Sequence, residues 1–302
     1  MNVSSIQKAM ATVAYADIFN YPLTREEISY WAVGGLHEMP PGIKHLETKR
    51  RGGKEYFCLS GRSHIVALRQ VRKKIAARKW HRIYHIMNYF RFIPTLLLVG
   101  VTGGLAVDNA KENDDIDVFF ITRRNTIWVT RSIVTLVAEW LGVRRRPDAK
   151  TVTDTICLNM FMAEDALGLP KAEQDLFAAH EVLQMVPLWE REGVYRTFLR
   201  ANRWVNYFLP RAWEERLSVA GQTEPRKSKN IALSFVRVVI SLFEPIARFT
   251  QLWYMNNRRT NEVIRSGMIR FHPRDARQWV REKYASRLKR QHIPLDKIFY
   301  RR

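Results

Sequence analysis

Two glycines and four aspartates lie close together in the segment TGGLAVDNAKENDDIDV, at residues 102–118. Asp115 and Asp117 flank Ile116, and the chain continues as the apolar run VFFIT. If this run is a strand, alternation places both carboxylates on one face, about 7 Å apart along the strand, while Ile116 points into the core. Paired carboxylates are typical ligands of Mg²⁺, which also coordinates substrate phosphates. The spacing therefore predicts a metal site at Asp115 and Asp117.

The glycine pair Gly103–Gly104 lies between a predicted strand at 96–101 and a predicted helix start. A glycine backbone can approach a phosphate closely, and the N–H groups at a helix N-terminus attract anions. We therefore predict that Gly103 and Gly104 bind nucleotide phosphates beside the metal site. A solvated acidic turn is the simpler interpretation of the aspartates, but the glycine pair and the apolar continuation of the strand argue against it.

This arrangement resembles the motif of the DNA polymerase β-like nucleotidyltransferase superfamily, in which a glycine pair is followed after a short spacer by Asp–hydrophobic–Asp. The resemblance covers roughly residues 66–162, and YADIFNYPLT near the start is similar to uncharacterised prokaryotic proteins with a nucleotidyltransferase domain. It implies that Asp115 and Asp117 are catalytic and hold two Mg²⁺ ions. It also implies that an NTP such as ATP is the substrate, and that its nucleoside monophosphate moves to an acceptor hydroxyl.

The superfamily usually adds a third carboxylate from a later strand, and in DTICLNMF that position is occupied by Asn159. Alternation predicts that Asn159 points away from Ile156, Leu158 and Met160, and that it is the residue of its strand closest to the aspartates. An amide oxygen can bind Mg²⁺ but is a poor proton acceptor. Two interpretations follow: an active nucleotidyltransferase with Asn159 among its catalytic residues, or a degenerate scaffold that binds nucleotide or RNA.

Sequence patterns divide the chain into three segments. In residues 1–61, helical patterns precede a hairpin signal at Gly52–Gly53, which is the layout of a winged helix. Residues 62–165 begin with a long basic helix and continue with alternating strand and helix patterns, which predict a small α/β unit. The resemblance implies that its sheet is mixed. Residues 166–302 are predicted to be helical and basic. The expected fold class is α+β: a nucleotidyltransferase core preceded by a winged-helix-like domain and followed by a helical region.

A winged helix would allow a third function, that of a DNA-binding regulator. The predicted hairpin has a basic tip at Lys49–Arg51, which suits contact with phosphate. However, the stretch LHEMPPGIKHLET at 36–48 is too short and too rich in proline for a clear recognition helix. This counts against sequence-specific reading of DNA.

The chain is strongly basic, with 50 Lys and Arg against 29 Asp and Glu and a formal net charge of +21. Such a balance favours polyanionic partners. We predict that RNA or another polyanionic acceptor contacts Arg270, Arg274 and Arg277. The long helix at 62–91 has a basic face, for which solvation is the simple interpretation and phosphate contact the alternative. That face carries Arg69, Arg72, Lys73, Arg78, Lys79 and Arg82.

Several protein classes are disfavoured by composition. Two cysteines, Cys58 and Cys157, cannot form a disulfide framework, and no signal-peptide pattern is present, so we expect a cytoplasmic protein. The longest uncharged run, at 92–107, is too short for a transmembrane segment. The apolar stretch at 231–253 has the pattern of an amphipathic helix pair, for which packing inside the protein is favoured over binding at a membrane surface.

Overall fold

The structure is a computed structural model that describes residues 4–146, 149, 151–221, 231–256, 263–270 and 276–293. Within these residues the chain is mixed α+β. Its α-helices are α1 (Ser5–Asp17), α2 (Arg25–Tyr30), α3 (His64–Phe90), α4 (Gly103–Ala106), α5 (Ile127–Trp140), α6 (Leu176–Gln184), α7 (Val194–Ala201), α8 (Pro210–Gly221), α9 (Ile231–Leu242), α10 (Glu244–Asn256) and α11 (Ala276–Arg290). Its strands are β1 (Leu46–Arg51), β2 (Lys54–Leu59), β3 (Leu96–Val101), β4 (Ile116–Thr122), β5 (Ile156–Ala163), β6 (Val186–Glu190), β7 (Val263–Arg265) and β8 (Met268–Arg270).

A six-stranded mixed sheet forms the centre, with the order β6-β3-β4-β5-β8-β7. Its central pair, β4 and β5, is parallel, and the other neighbours are antiparallel. A parallel pair needs a crossover connection, which here includes α5. The α+β class and the mixed sheet predicted from the sequence are confirmed. The alternating pattern TVTDTICLNMFM predicts a strand at 151–162, and the corresponding strand β5 begins later, at Ile156.

The prediction that residues 166–302 are helical is wrong at three places, because β6, β7 and β8 come from this part of the chain. Strands of three to five residues are too short to establish an alternating pattern. β6 also contains Pro187, which argues against a central strand but is tolerated at the sheet edge that β6 occupies.

The N-terminal helices and hairpin form as predicted. Thr24 Oγ1 accepts a hydrogen bond from Glu27 N at 3.3 Å, and the Glu27 carboxylate accepts one from Thr24 N at 2.8 Å. This capping box begins α2. Strands β1 and β2 pair antiparallel as a hairpin whose turn contains Gly52 and Gly53. No helix lies between α2 and β1, a stretch that the structure describes in full. The winged-helix interpretation therefore stays a prediction.

The hydrophobic core joins all three predicted segments. One cluster packs α1, α2 and β2, together with α6, α7, α8 and α11, against one face of the sheet. A second cluster packs α3, α5 and α10 against the other face. The two chain ends also bond directly: Tyr284 on α11 donates to the carbonyl of Ala11 at 3.1 Å, and Arg287 pairs with Asp17 at 2.7 Å. No helix in the described residues is long and apolar enough to cross a membrane.

The basic face of α3 is only partly solvated, contrary to the simple interpretation of the sequence. Arg69 pairs with Glu27 at 2.5 Å. Arg72 is buried and donates to the Asn109 side chain at 3.0 Å. Lys79 is fully buried. These three cations bind other residues of the same chain. Lys73, on the same helix, is exposed.

The Lys79 ammonium organises the acidic loop before β4. It donates to the carbonyl oxygens of Glu112 at 3.1 Å and Asp114 at 2.7 Å, and it pairs with the Asp154 carboxylate ahead of β5. A buried ammonium is stable only when its donors are satisfied, and here three oxygens satisfy them. The long helix thereby positions the starts of both central strands.

Removing this ammonium should destabilise the fold. We expect Lys79→Met to lower the free energy of unfolding by about 3 kcal/mol, because it leaves a carboxylate and two carbonyls without their donor. Lys73→Met, the same change at an exposed position of the same helix, should cost less than about 0.5 kcal/mol. Urea denaturation of both variants measures the difference. Equal stabilities would show that Lys79 does not hold the loop.

Candidate metal and nucleotide site

The glycine turn after β3 lies directly against Asp117 of β4. Thr102 N donates to the main-chain carbonyl of Asp117 at 3.0 Å, which fastens the turn to the strand. Gly103 has a φ of +68°, and a Cβ placed there would lie 2.6 Å from Asp117 Oδ2. A Cβ on Gly104 would lie 3.3 Å from the carbonyl oxygen of Asn109. The structure thus brings the two predicted parts of the site, Gly103–Gly104 and Asp117, into contact.

The helix that begins at the glycine pair is shorter than a phosphate-binding helix usually is. α4 is a single turn of four residues. The sequence predicted a helix N-terminus with a useful dipole, but the dipole of one turn is small because it sums few peptide units. The predicted phosphate binding at Gly103 and Gly104 would therefore depend on the close approach that glycine allows.

Asp115 lies just before β4 and is bonded to an arginine that the sequence analysis missed. Arg145 donates to Asp115 Oδ2 at 2.6 Å, and its guanidinium is 3.8 Å from Cys157 Sγ. The Asp115 side chain is 16% exposed and that of Arg145 is 34% exposed, so the pair is partly shielded from water. Arg145 belongs to the run Arg144–Arg146, and nothing in the sequence distinguishes it from its neighbours.

The strand register places Cys157, not Asn159, opposite Asp117. Ligand atoms of Asp115, Asp117 and Cys157 all lie within 4.8 Å of one another. Burial, followed by the charges of Asp117 and Asp115, raises the pKa of the Cys157 thiol far above its ordinary value. A neutral thiol is a poor ligand for Mg²⁺, which prefers oxygen. Of these three residues, the two carboxylates fit a magnesium ion and Cys157 only borders the site.

Asn159 lies at an irregularity in the pairing of the central strands. Leu158 pairs with Val118 and Met160 with Phe119, so Asn159 has no partner residue in β4. The sequence expectation of strict alternation is wrong for Met160, which packs with the hydrophobic cluster on the opposite face from Leu158. The bulge is the physical reason. The Asn159 side chain is buried, and its Oδ1 has no hydrogen-bond partner among the described residues.

Glu181 on α6 is a third carboxylate near the site. Burial raises its pKa to about 7. Burial, with contributions from the charges of Asp115 and Glu181, also raises the pKa of Asp117 to about 7, and Arg145 opposes that shift. Crowded carboxylates are stabilised by a cation among them. The signal that could have revealed Glu181 is that it is the single acid in the mainly apolar helix LFAAHEVLQ.

Glu181 lines two cavities. The larger, about 300 Å³, lies on the side of Gly103 and Gly104. Its wall includes Tyr15 of α1, which stacks on His180 with ring centroids 4.0 Å apart. Burial lowers the pKa of His180 to about 3, so its ring is neutral at physiological pH. The N-terminal segment therefore forms one wall of the site.

The smaller cavity, about 100 Å³, is lined by Asn159, Glu181, Arg270 and Arg277. Arg270 pairs with Glu173 at 2.7 Å, and Arg277 pairs with Asp175 at 3.0 Å. These internal ion pairs use the charges that the sequence assigned to nucleic acid, so an RNA contact there stays a prediction. Arg274, the third residue of that set, lies outside the described residues.

The contact between the glycine turn and Asp117 predicts a steric effect that a matched control can isolate. Gly103 and Gly42 both have a φ of +68°, but a Cβ on Gly42 would meet nothing within 4 Å. Both alanine variants lose about 1 kcal/mol to the backbone conformation. We expect Gly103→Ala to lose a further 1–3 kcal/mol, roughly, because its methyl group collides with the carboxylate. Chemical denaturation measures both losses, and equal values would exclude the collision.

The raised pKa values of Asp117 and Glu181 predict a pH-dependent stability. An acid whose pKa is raised on folding contributes stability below its unfolded pKa, and this is lost as pH rises through about 7. We expect Asp117→Asn to melt about 5 °C above the wild-type chain at pH 8 and at the same temperature near pH 4. Exposed Asp165 provides the control, since Asp165→Asn should change little at either pH. A pH-independent gain in Asp117→Asn would contradict the raised pKa.

Comparison with known proteins finds no match. No family model matches the chain, no curated protein is similar to it at the level of sequence, and no solved structure matches its fold. A function for this chain therefore has to be inferred from its own side chains and their arrangement.

Proposed function

We propose that this chain is a metal-dependent nucleotidyltransferase that moves a nucleoside monophosphate from an NTP to an acceptor hydroxyl. The observation that carries the proposal is the contact between Gly103 and the Asp117 carboxylate, 2.6 Å from the position of a Cβ. A backbone turn suited to phosphate and a strand suited to metal thus meet at one point. The mixed sheet around them is compatible with the resemblance to the DNA polymerase β-like superfamily.

Asp115 and Asp117 are the residues that would hold magnesium. When bound, magnesium supplies charge neutralisation for the triphosphate and acidifies the acceptor hydroxyl. The missing side chains of Gly103 and Gly104 make room for the Asp117 carboxylate and the Asn109 carbonyl, and the proposal places the phosphates against the main chain of this turn. Arg145 restrains Asp115 and adds a positive charge beside it. Most of the rate enhancement in such a displacement comes from positioning and charge stabilisation of this kind.

We assign Glu181 the role of proton acceptor. It provides a carboxylate close to Asp117 at a place where β5 offers only Cys157 and Asn159. A pKa of about 7 suits a general base at neutral pH. Glu181 also lines the cavity of about 300 Å³, so an acceptor group held in that cavity can present its hydroxyl to it. The volume is at the lower end for small-molecule sites, which favours a small acceptor or one end of a larger one.

A second function, nucleotide binding without transfer, is favoured by a different observation. Arg145 already bonds to one oxygen of Asp115, and a neutral thiol borders the two aspartates. Both features weaken a two-metal centre. The guanidinium competes with a cation for the same carboxylate, and the neutral thiol is a poor ligand for Mg²⁺. On this alternative, Asp117 and the glycine turn bind one metal–nucleotide complex, and no hydroxyl is activated.

Nucleotide binding tests the metal site. In calorimetry with each NTP, we expect affinity to fall at least about tenfold when Mg²⁺ is omitted and in Asp117→Asn, since phosphate binding depends on charge neutralisation. Asp165→Asn is the control and should bind as the wild-type chain does. Equal NTP affinity of wild type and Asp117→Asn in the presence of Mg²⁺ would contradict both proposed functions, nucleotidyl transfer and nucleotide binding without transfer.

Transfer separates the two functions. The wild-type chain is incubated with each α-labelled NTP, Mg²⁺ and cellular RNA, protein and metabolite fractions. Transfer of label to one fraction, reduced about 10²–10⁴-fold in Glu181→Gln with nucleotide affinity retained, is the expected result for a general base. Binding without any labelled product would favour the non-catalytic alternative, and full activity of Glu181→Gln would remove Glu181 from the mechanism.

A further inference from the structure

Helices α9 and α10 turn their apolar side chains outward. Phe235, Leu242, Phe249 and Trp253 are between 67% and 72% exposed. The sequence favoured packing of this stretch inside the protein, and the structure contradicts that expectation. Monomeric proteins seldom expose contiguous apolar patches larger than a few hundred Å² unless the patch has a binding role.

The inward side of the helix pair is attached to the body of the protein by polar side chains as well as by Met255, which is buried in the second hydrophobic cluster. Arg237 donates to the carbonyl of Pro94 at 3.2 Å. The Glu244 carboxylate accepts from the N–H of Trp128 in the first turn of α5, at 2.9 Å, which also complements the helix dipole. Gln251 donates to the carbonyl of Trp128 at 2.8 Å. These three polar residues are seven apart, so they form one inward stripe along the two helices.

The neighbouring helix α5 also exposes large apolar side chains. α10 packs against α5, and on α5 the side chains of Leu136 and Trp140 are 68% and 77% exposed. We call the exposed apolar side chains of α9, α10 and α5 the apolar face. Its members are Phe235, Val236, Val238, Val239, Leu242, Phe243, Ile246, Phe249, Trp253, Tyr254, Leu136 and Trp140.

The charge of the helix pair and of the sequence on both sides of it indicates which kind of partner covers the apolar face. Glu244 is the single acidic residue between positions 231 and 256, and its carboxylate is bonded to α5. The sequence on both sides of the helix pair is basic, with Arg226, Lys227, Lys229, Arg258 and Arg259. A second copy of this chain, at a formal net charge of +21, would bring the same basic flanks together, and RNA offers no extended apolar surface. An anionic bilayer offers both negative headgroups and an apolar layer.

We propose that the apolar face docks the protein on an anionic lipid membrane, with α9 and α10 lying in the interface. The two helices have 12 and 13 residues, which at about 1.5 Å per residue makes each shorter than the roughly 30 Å of a bilayer core. They therefore lie along the surface and do not span it. Aromatic side chains such as Trp253 and Tyr254 are suited to the headgroup level.

Vesicle sedimentation with the full chain tests the proposal. The wild-type chain should sediment with vesicles that contain phosphatidylserine and much less with pure phosphatidylcholine. The triple variant Phe235→Ser, Leu242→Ser and Phe249→Ser should bind at least about tenfold more weakly, since it removes three exposed apolar anchors. Unchanged melting temperature checks its fold. The control is Ile6→Ser with Val219→Ser, which alters two exposed apolar residues on other helices and should bind as the wild type does.

Three results would overturn the proposal. Equal vesicle binding by the triple variant and the control would mean that surface charge alone attracts the lipid. Absence of wild-type binding to phosphatidylserine vesicles would remove the membrane as partner. A wild-type dimer in light scattering that the triple variant converts to monomer, without any vesicle binding, would assign the face to a second copy of this chain.

Discussion

The buried ammonium of Lys79 is the interaction on which the candidate site depends. It joins the middle of the long helix α3 to two carbonyls of the acidic loop and to Asp154, so it positions the residues just before β4 and β5. Asp115 follows just before β4, Asp117 lies in β4, and Cys157 lies in β5. Because a desolvated ammonium keeps its position only while every donor is bonded, the loop has one stable arrangement.

The site that results holds more negative than positive charge. Arg145 pairs with Asp115. The pKa of Asp117 rises through burial and through the charges of Asp115 and Glu181, and the pKa of Glu181 rises through burial. Such an arrangement costs folding stability at neutral pH. Proteins commonly retain a cost of this kind where a ligand offsets it, and a magnesium–triphosphate complex has the charge to do so.

The chain uses charge and apolar surface in unusual places. Basic residues of α3 that would ordinarily face water, such as Arg72 and Lys79, bind main-chain and side-chain oxygens inside the protein. Apolar residues of α9 and α10, such as Phe249, face outward, while Gln251 and Glu244 face inward. Both arrangements follow from specific hydrogen bonds between residues distant in sequence, since each inward polar group has its own partner.

The sequence by itself determined the α+β class, the long helix α3, the hairpin and the shared face of Asp115 and Asp117, because these depend on local spacing along the chain. Only the tertiary structure decided that Cys157 lies opposite Asp117 and that Arg145 and Glu181 join the site. Periodicity shows which residues share a face of a helix or strand. It does not show whether that face contacts the rest of the protein or the solvent. The bulge at Asn159 and the outward turn of α9 and α10 both depend on partners distant in sequence, which local patterns cannot reveal.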